Sequence, residues 1–295
     1  MRYCFKYTRE VDMPQRIHEA NRLSWNAATA AHNSHKHNQA KFLRDGGTTL
    51  FPEEIELLGD LTGKSLVHLQ CNAGQDSLCL ARLGATVTGV DISDEAISFA
   101  GQLSSDADIP ATFIRADVYD WLDASVQQGD KFDIVFCSYG AICWLSDLPR
   151  WAAGVARILN PGGRFVVVDF HPASMMFDEK FELKYPYFGE NNPLKWDDGV
   201  GDYVGMAAGA LSPSGHRDGV EKFENPHEVY EYQWSMGALL TALLEVGLRV
   251  EIFEEYPYSN GAKLFDDMIE MEGKRMMRPE GAPSVPLMYG VRAVL

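Results

Sequence analysis

The loop 70–74, Asp91 and Asp117 are the residues whose types and spacing could bind a ligand. The loop ends in Gly74 before a predicted helix, whose N-terminus would offer free N–H groups and a positive dipole end. An aspartate at the end of the next strand, such as Asp91, can accept hydrogen bonds from two ribose hydroxyls. Asp117 follows the third predicted strand, where a carboxylate can accept a hydrogen bond from an adenine amino group. Alternatively, Asp91 only begins the next helix and Asp117 is a surface acid, but their occurrence in order favours a ligand with ribose and adenine.

A parallel sheet would bring these residues to one edge. From residue 51 onward, short apolar runs alternate with amphipathic helical patterns, which indicates an α/β fold with helices on both faces of the sheet. The predicted strands are Ser65–Leu69, Thr86–Val90, Ala111–Ile114, Phe132–Ser138, Arg164–Phe170, Leu248–Phe253 and Leu287–Leu295. The predicted helices are Pro14–Leu43, Pro52–Leu58, Asp76–Leu83, Asp94–Leu103, Tyr119–Val126, Leu148–Leu159 and Trp234–Val246, with a turn at 160–163. In such sheets, ligands bind at the carboxyl ends of the strands.

The order of these motifs resembles that of class I S-adenosylmethionine-dependent methyltransferases. The matching stretches are the loop 70–74, GVDIS at 89–93, RADV at 115–118, FDIVFCSYGAICWL at 132–145 and LNPGGRFVVVDFHP at 159–172. The resemblance covers roughly residues 60–172, and the segments 234–253 and 287–295 fit the same fold. It implies a doubly wound, mainly parallel seven-stranded sheet whose last strand is antiparallel.

The resemblance also implies a cofactor, S-adenosylmethionine, and residues that bind it. The loop 70–74 would wrap its methionine part, Asp91 would bind the ribose, and Asp117 would hold the adenine amino edge. The implied cofactor-binding residues are Trp25, Gln70, Asn72, Gly74, Gln75, Asp91, Ile92, Asp117, Val118 and Ser138.

Three positions depart from the family pattern. His68 stands where the family has an acid that helps to bind the cofactor's amino group, so a backbone carbonyl or a neighbouring side chain must substitute for it. Gln70 and Asn72 replace the first two glycines of the loop. These side chains would crowd the pyrophosphate of a nicotinamide cofactor, which needs bare backbone, so the loop argues against a nicotinamide-dependent oxidoreductase.

The segment after the fifth predicted strand is rich in aromatic residues, glycine and proline and has no clear helical period, which is typical of a functional lid. We expect its aromatic residues to confine a flat acceptor, an aromatic or heteroaromatic and for example indole-like metabolite. The alternative is a second small core beneath the lid. The candidate catalytic residues are His171 as general base, with Tyr139 and Glu254 as weaker candidates.

Two functions are compatible with these motifs. The first is methyl transfer to a small molecule by in-line displacement, in which positioning can supply much of the rate without a general base. The second is a reaction other than methyl transfer, such as a cyclisation, on the same cofactor-binding fold. The predicted organisation is an N-terminal helical cap (1–50), a cofactor-binding core (51–172), a substrate lid insertion (173–232) and the C-terminal part of the core (233–295).

A polar cluster with three histidines, residues 32–37, suggests a metal site by composition alone. No acidic or cysteine ligand stands at helical spacing nearby, so the sequence predicts a solvated helix end there and no metal site.

Composition narrows the partners and the compartment. The chain has 295 residues, with 42 acidic and 26 basic side chains and a formal charge of −16. This charge disfavours nucleic acid as a partner. No stretch approaches the ~20 apolar residues of a membrane span, and the first residues lack the apolar core of a signal peptide. Five cysteines, at 4, 71, 79, 137 and 143, are predicted to be reduced thiols. We therefore expect a cytoplasmic protein, monomeric or homodimeric, that acts on a small molecule and binds no membrane.

Overall fold

The computed structural model describes residues 13–207 and 209–295, apart from the side chains of residues 190 and 191. The prediction for Cys4 and that for the first twelve residues of the cap lie outside this range. The strands are β1 (Ser65–Leu69), β2 (Thr86–Asp91), β3 (Thr112–Arg115), β4 (Phe132–Ser138), β5 (Leu159–Phe170), β6 (Gly189–Trp196), β7 (Val229–Gln233), β8 (Arg249–Tyr256), β9 (Ser259–Asn260), β10 (Ile269–Glu270), β11 (Arg275–Met277) and β12 (Met288–Val294). The α-helices are α1 (Met13–Ser34), α2 (Gln39–Arg44), α3 (Pro52–Leu58), α4 (Gln75–Arg82), α5 (Asp94–Ala107), α6 (Val118–Gln128), α7 (Leu148–Ile158), α8 (Tyr203–Met206) and α9 (Met236–Glu245).

A seven-stranded sheet in the order β3-β2-β1-β4-β5-β12-β8 confirms the predicted fold. Strand β1 pairs in parallel with both β2 and β4, so the strand order reverses beside β1. Strand β12 runs antiparallel to both β5 and β8, as predicted for the last strand. The reversal opens a crevice at the carboxyl end of β1, where the loop 70–74 begins.

Both faces of the sheet are buried because its strands are apolar on both sides. In β1, Val67 and Leu69 belong to one hydrophobic cluster and Leu66 to the other, and all three are fully buried. Helices α6, α7 and α9 cover the first face, while α3, α4 and α5 cover the second. Because both faces are packed, the strand ends are held rigidly and can position side chains at the crevice.

The predicted helix Pro14–Leu43 is wrong, since two helices separated by residues 35–38 form instead. Asn38 has a φ of 45°, a left-handed conformation that cannot continue a right-handed helix. In the break, Lys36 forms a β-bridge with His216 from the lid insertion. A contact that is distant in sequence therefore ends α1.

Three other segments are more regular than the sequence suggested. The predicted turn at 160–163 lies within β5, which begins at Leu159 and pairs with β4 through a register shift. In the lid insertion, β6 and β7 form an antiparallel pair and α8 adds a helical turn. Ahead of the last strand, β9, β10 and β11 form a small sheet.

The described residues include no helix that is both long and apolar enough to cross a membrane. Among them, Cys71, Cys79 and Cys137 are buried free thiols, and Cys143 is a half-buried one.

Candidate functional site

A cavity of about 1200 Å³ lies at the carboxyl ends of β1, β2 and β4. It is also lined by residues of α1 and of the lid insertion. Of the predicted site residues, those that line it are Trp25, Gln70, Asn72, Gln75, Asp91, Ile92, Asp117, Val118, Ser138 and Tyr139. The structure thus brings nearly all the predicted cofactor-binding residues together in one cavity.

The loop 70–74 has a glycine-like backbone although it contains only one glycine. Gln70, Asn72 and Gly74 have φ values of 56°, 48° and 76°, all in the left-handed region. For a residue with a side chain, this conformation costs of order 1–3 kcal/mol. At Gly74, a Cβ atom would come within 2.7 Å of Ala100 and 2.8 Å of the Phe113 ring. Gly74 therefore cannot be replaced without moving Ala100 of α5 and the Phe113 ring, and it is also the N-cap residue of α4.

The Gln70 side chain has an unused acceptor at the cavity. Its Nε2 donates a 2.7 Å hydrogen bond to the carbonyl of Ala141. A carbonyl can only accept, so this contact fixes the orientation of the amide. The other amide atom, Oε1, is buried and has no hydrogen-bond partner among the described residues. Because an unpaired buried acceptor costs about 1–3 kcal/mol, this oxygen favours a ligand that donates to it.

Asp91 holds the loop and the start of α5 together. Its Oδ2 accepts a 2.8 Å hydrogen bond from the backbone N–H of Asn72, and its Oδ1 accepts one of 2.8 Å from Ser93. Burial raises the pKa of this carboxyl group, although the backbone donors offset part of the effect. Each oxygen retains a second lone pair, so the carboxylate can still accept hydrogen bonds from a pair of hydroxyls.

Asp117 is engaged by a residue of α1 that the sequence pattern did not reveal. His18 Nδ1 lies 2.6 Å from its Oδ2, and the backbone N–H of Tyr119 donates to its Oδ1 over 2.8 Å. Burial acts to raise the pKa of Asp117, but the contacts with His18 and the backbone N–H groups of Tyr119 and Asp120 together outweigh it, so the net shift is downward. The His18 ring also stacks on Tyr119. Asp117 is therefore an ionised acceptor beneath the first helix.

His68 is an uncharged bridge at the position of the family's acid. Its Nδ1 lies 2.9 Å from the Ser77 hydroxyl, and its Nε2 lies 3.3 Å from the Ser138 hydroxyl. Burial lowers the pKa of His68 to about 3, so the ring is neutral at pH 7. It links the loop side of the cavity to the end of β4 and cannot supply the negative charge of the acid that it replaces.

Because His68 stays neutral in the folded protein, we expect it to weaken the fold in acid. An unfolded histidine gains a proton near pH 6.5, whereas folded His68 does so only near pH 3, so its contribution to stability is lost as the pH falls below 6.5. Between pH 7.5 and 5, the wild type should lose ~2 kcal/mol more unfolding free energy than His68→Gln. Urea unfolding at both pH values measures this difference. The exposed His37→Gln is the control, and an equal pH response of wild type and His68→Gln would contradict the assignment.

The polar cluster 32–37 is not the solvated helix end that the sequence predicted. His32, Asn33 and His35 are buried, and Lys36 lines the cavity. The lid insertion covers them: His32 Nε2 lies 2.9 Å from the Gly201 carbonyl, and His35 Nε2 lies 2.7 Å from Asp202. The described residues contain no group of three or more His, Cys, Asp or Glu side chains placed to hold a metal ion.

Lys36 gives this end of the cavity a cation. No carboxylate of the described residues lies within 4 Å of its ammonium group. Burial lowers its pKa to about 8, with a smaller opposing effect from Asp76. Gln75, at the start of α4, lies in the same region and donates a 2.8 Å hydrogen bond to Gln39. A cation beside a helix N-terminus favours an anionic ligand group.

Next to His32, the cavity has an aromatic wall. Trp25 and Trp144 meet edge to face, with ring centroids 5.6 Å apart, and Tyr203 packs on His32 at 4.1 Å. Trp196 completes the wall and donates a hydrogen bond of 3.0 Å to Glu231. Other aromatic residues expected near the acceptor, such as Tyr185 and Phe188, do not line the cavity.

The predicted catalytic residues are not all at the cavity. His171 lies outside it, with its Nε2 2.9 Å from Glu255 and its Nδ1 accepting a hydrogen bond from Ala173 N–H. Glu254 is exposed on β8 and accepts a hydrogen bond from Tyr256. Tyr139 lines the cavity, but its hydroxyl accepts a 2.9 Å hydrogen bond from Asn260. A catalytic role for these three residues stays a prediction, and the geometry brings only Tyr139 to the site.

Comparisons with known proteins agree with this geometry. Residues 67–167 match the family model described as a methyltransferase domain. Residues 67–167 therefore form a methyltransferase domain, in line with the resemblance to class I S-adenosylmethionine-dependent methyltransferases. A ubiquinone biosynthesis O-methyltransferase of Methylobacterium nodulans is 28% identical over 143 residues, which cover 48% of this chain and 55% of that protein. An uncharacterized methyltransferase of Synechocystis is 32% identical over 140 residues, which cover 46% of this chain and 61% of that protein.

The similarity of the methyltransferase domain to solved structures extends further along the chain. A crystal structure of an S-adenosylmethionine-dependent methyltransferase from Mesorhizobium loti covers 85% of this chain and 100% of its own, with a TM-score of 0.52 and 21% identity. These matches confirm the predicted fold and a methyltransferase domain over residues 67–167. The chain spans less than two thirds of the length of these two curated relatives.

Three residues of the site escaped the sequence analysis: His18, Lys36 and Glu231. His18 and Lys36 lie within the helical pattern near the N-terminus and carried no motif. Glu231 faces the cavity only because β7 pairs with β6. The polar cluster 32–37 is the one local signal for Lys36, but by itself it predicts a solvated helix end and not part of a binding site.

Proposed function

We propose that this protein transfers a methyl group from S-adenosylmethionine to a small-molecule acceptor. The observation that carries the proposal is the buried Oε1 of Gln70, which has no hydrogen-bond partner in the described part of the chain and lies in a cavity that runs from the loop 70–74 to the aromatic wall. This oxygen supports a role for Gln70 as the acceptor for the cofactor's ammonium group. In the family an acid at the position of His68 has that role.

The polar groups of the cavity fit the other parts of the cofactor. Asp91 would bind the ribose hydroxyls and Asp117 the adenine amino edge, while Ile92 and Val118 would contact the adenine ring. Lys36 would pair with the cofactor's carboxylate. The cofactor, when bound, supplies a methyl group on a positively charged sulfur.

The chain's own contribution to the reaction would be positioning and exclusion of water. Ser138, at the end of β4, and the indoles of Trp25 and Trp144 would shape the space in which acceptor and methyl donor meet. Electron-rich indole faces stabilise a nearby cation. Since the reaction is an in-line displacement, holding the acceptor in line supplies much of the rate, and no general base is required for a nucleophile that is already electron-rich.

The aromatic wall supports an aromatic or heteroaromatic acceptor, such as an indole-like metabolite. Such a ring would be confined between Trp25, Trp144 and Trp196. We further propose that residues 1–50 act as a cap on the cofactor and residues 173–232 as a lid on the acceptor. Asn21 of α1 supports this arrangement, because it exchanges two hydrogen bonds, of 2.9 and 2.8 Å, with the backbone of Tyr230 in β7.

Methyl-labelled S-adenosylmethionine tests the proposal. Incubation of the protein with this donor and a cell extract should place the label in a product of low molecular mass. Labelled protein or RNA would contradict a small-molecule acceptor. Bound cofactor without any demethylated cofactor would contradict methyl transfer and favour another reaction, such as cyclisation.

Asp117→Asn tests the adenine assignment. The substitution removes the charge that strengthens a hydrogen bond from the adenine amino group, and hydrogen bonds to charged groups contribute about 1.5–3 kcal/mol. We expect roughly a tenfold loss of S-adenosylhomocysteine affinity by titration calorimetry. Asp120→Asn, an exposed acid on the first turn of the same helix, is the control. Equal affinities for wild type and Asp117→Asn would remove Asp117 from the cofactor site.

A further inference from the structure

The lid insertion places a carboxylate beside the aromatic wall of the cavity. Glu231 lies on β7 opposite Leu194 of β6, on the same face of this two-stranded sheet as Trp196. Its Oε2 accepts a 3.0 Å hydrogen bond from the Trp196 indole, which holds the side chain in place. The side chain is half-buried and lines the cavity. Glu231 is not among the residues proposed to bind the cofactor.

No cation of the described residues neutralises Glu231. Its ion-pair partners would have to lie within 4 Å, and none does. The nearest lysine along the ladder, Lys195, is on the opposite face, where it pairs with Asp197 at 2.6 Å and Glu228 at 2.8 Å. Burial raises the pKa of Glu231, and the hydrogen bond from Trp196 opposes this only in part. A desolvated carboxylate without a counter-ion favours a cationic ligand.

The neighbouring side chains suit a cation as well. Trp25, Trp144 and Trp196 all line the cavity with Glu231. Indole faces attract cations, and aromatic cages recognise substituted ammonium groups in this way. Cys143, also at the cavity, does not compete as an anion because burial raises the pKa of its thiol well above the usual value.

We propose that Glu231 and the three tryptophans bind a protonated amine of the acceptor. The inference rests on the proposed methyltransferase function and specifies its substrate class as amine-bearing aromatic compounds. A protonated nitrogen has no free electron pair, so this amine is a binding group, and the methyl group goes to a different atom of the acceptor. Discrimination would arise because a neutral analogue leaves Glu231 desolvated and unpaired.

Binding of matched probes tests the inference. Titration calorimetry is performed with the full chain saturated with S-adenosylhomocysteine, using two pairs of ligands: tryptamine with 3-propylindole, and phenethylamine with propylbenzene. Each pair has the same shape and differs in the charged amine. We expect at least one amine to bind the wild type with at least tenfold higher affinity than its neutral partner. Glu231→Gln, which keeps an oxygen for Trp196, should reduce that preference to less than about threefold.

The controls separate this inference from the function on which it depends. Glu228→Gln alters a carboxylate of the same segment that does not line the cavity, and it should retain the wild-type preference. S-adenosylhomocysteine should bind Glu231→Gln as it binds the wild type, which also shows that the variant is folded. Equal binding of amines and neutral partners, no amine binding at all, or a preference that survives in Glu231→Gln would overturn the inference. Failure of the wild type to bind S-adenosylhomocysteine would instead overturn the proposed function.

Discussion

Asp91→Ala should weaken binding of S-adenosylhomocysteine by at least about 100-fold. The substitution removes two charged acceptors for the ribose hydroxyls, each contributing about 1.5–3 kcal/mol, and every 1.4 kcal/mol is a factor of ten in affinity. It also releases the backbone N–H groups of Asn72 and Ser93, which Asp91 binds at 2.8 Å. The loop 70–74 would then lose the contact that holds its strained, glycine-like backbone.

A second ligand distinguishes loss of the ribose contact from disturbance of the loop that would hold the amino acid part of the cofactor. 5′-Methylthioadenosine has the ribose and adenine but lacks the amino acid part, so Asp91→Ala should weaken its binding about as strongly. The control is Asp133→Ala, because Asp133 also accepts a backbone hydrogen bond, from Ser65 at 2.9 Å, but does not line the cavity. Wild-type affinity of Asp91→Ala for both ligands would remove the ribose assignment.

The predicted site residues that line the cavity follow from local patterns. The end of an apolar strand, a loop and the start of a helix are all encoded within a few residues. Asp91 and Asp117 were therefore placed at the sheet edge by their position after a strand. The loop keeps a glycine-like backbone even where the glycines are missing, because Gln70 and Asn72 adopt left-handed conformations.

The site residues that the sequence patterns do not reveal depend on contacts between distant segments of the chain. Lys36 reaches the cavity because its backbone pairs with His216 and breaks the predicted helix. Glu231 requires the β6–β7 pairing, which no local pattern encodes. His171 shows the converse: it follows a strand end, as a catalytic residue would, but its backbone N–H binds the carbonyl of Leu287 and its ring lies against Glu255. The antiparallel last strand thus directs it away from the cavity.

Lys36→Met should lower the affinity for S-adenosylhomocysteine roughly 10- to 100-fold and leave that for 5′-methylthioadenosine unchanged. Lys36 is the proposed partner of the cofactor's carboxylate, and a charge-assisted hydrogen bond of this kind contributes about 1.5–3 kcal/mol. 5′-Methylthioadenosine lacks that carboxylate, so its affinity does not depend on Lys36. Asp91→Ala should behave differently and lower the affinity for both ligands, because both contain the ribose.

The contrast between the two ligands makes the lysine prediction independent of its effect on folding. If Lys36→Met instead lowered the affinity for both ligands equally, Lys36 would act by holding α1 and α2 over the site and not by pairing with a carboxylate. Lys41→Met is the matched control, since Lys41 is an exposed lysine of α2 that pairs with Asp45. Titration calorimetry on the three proteins at one pH and salt concentration measures both affinities. Because Lys36 carries no sequence motif, a selective loss of affinity for S-adenosylhomocysteine would establish that the segment 35–38, which separates α1 from α2, completes the cofactor site.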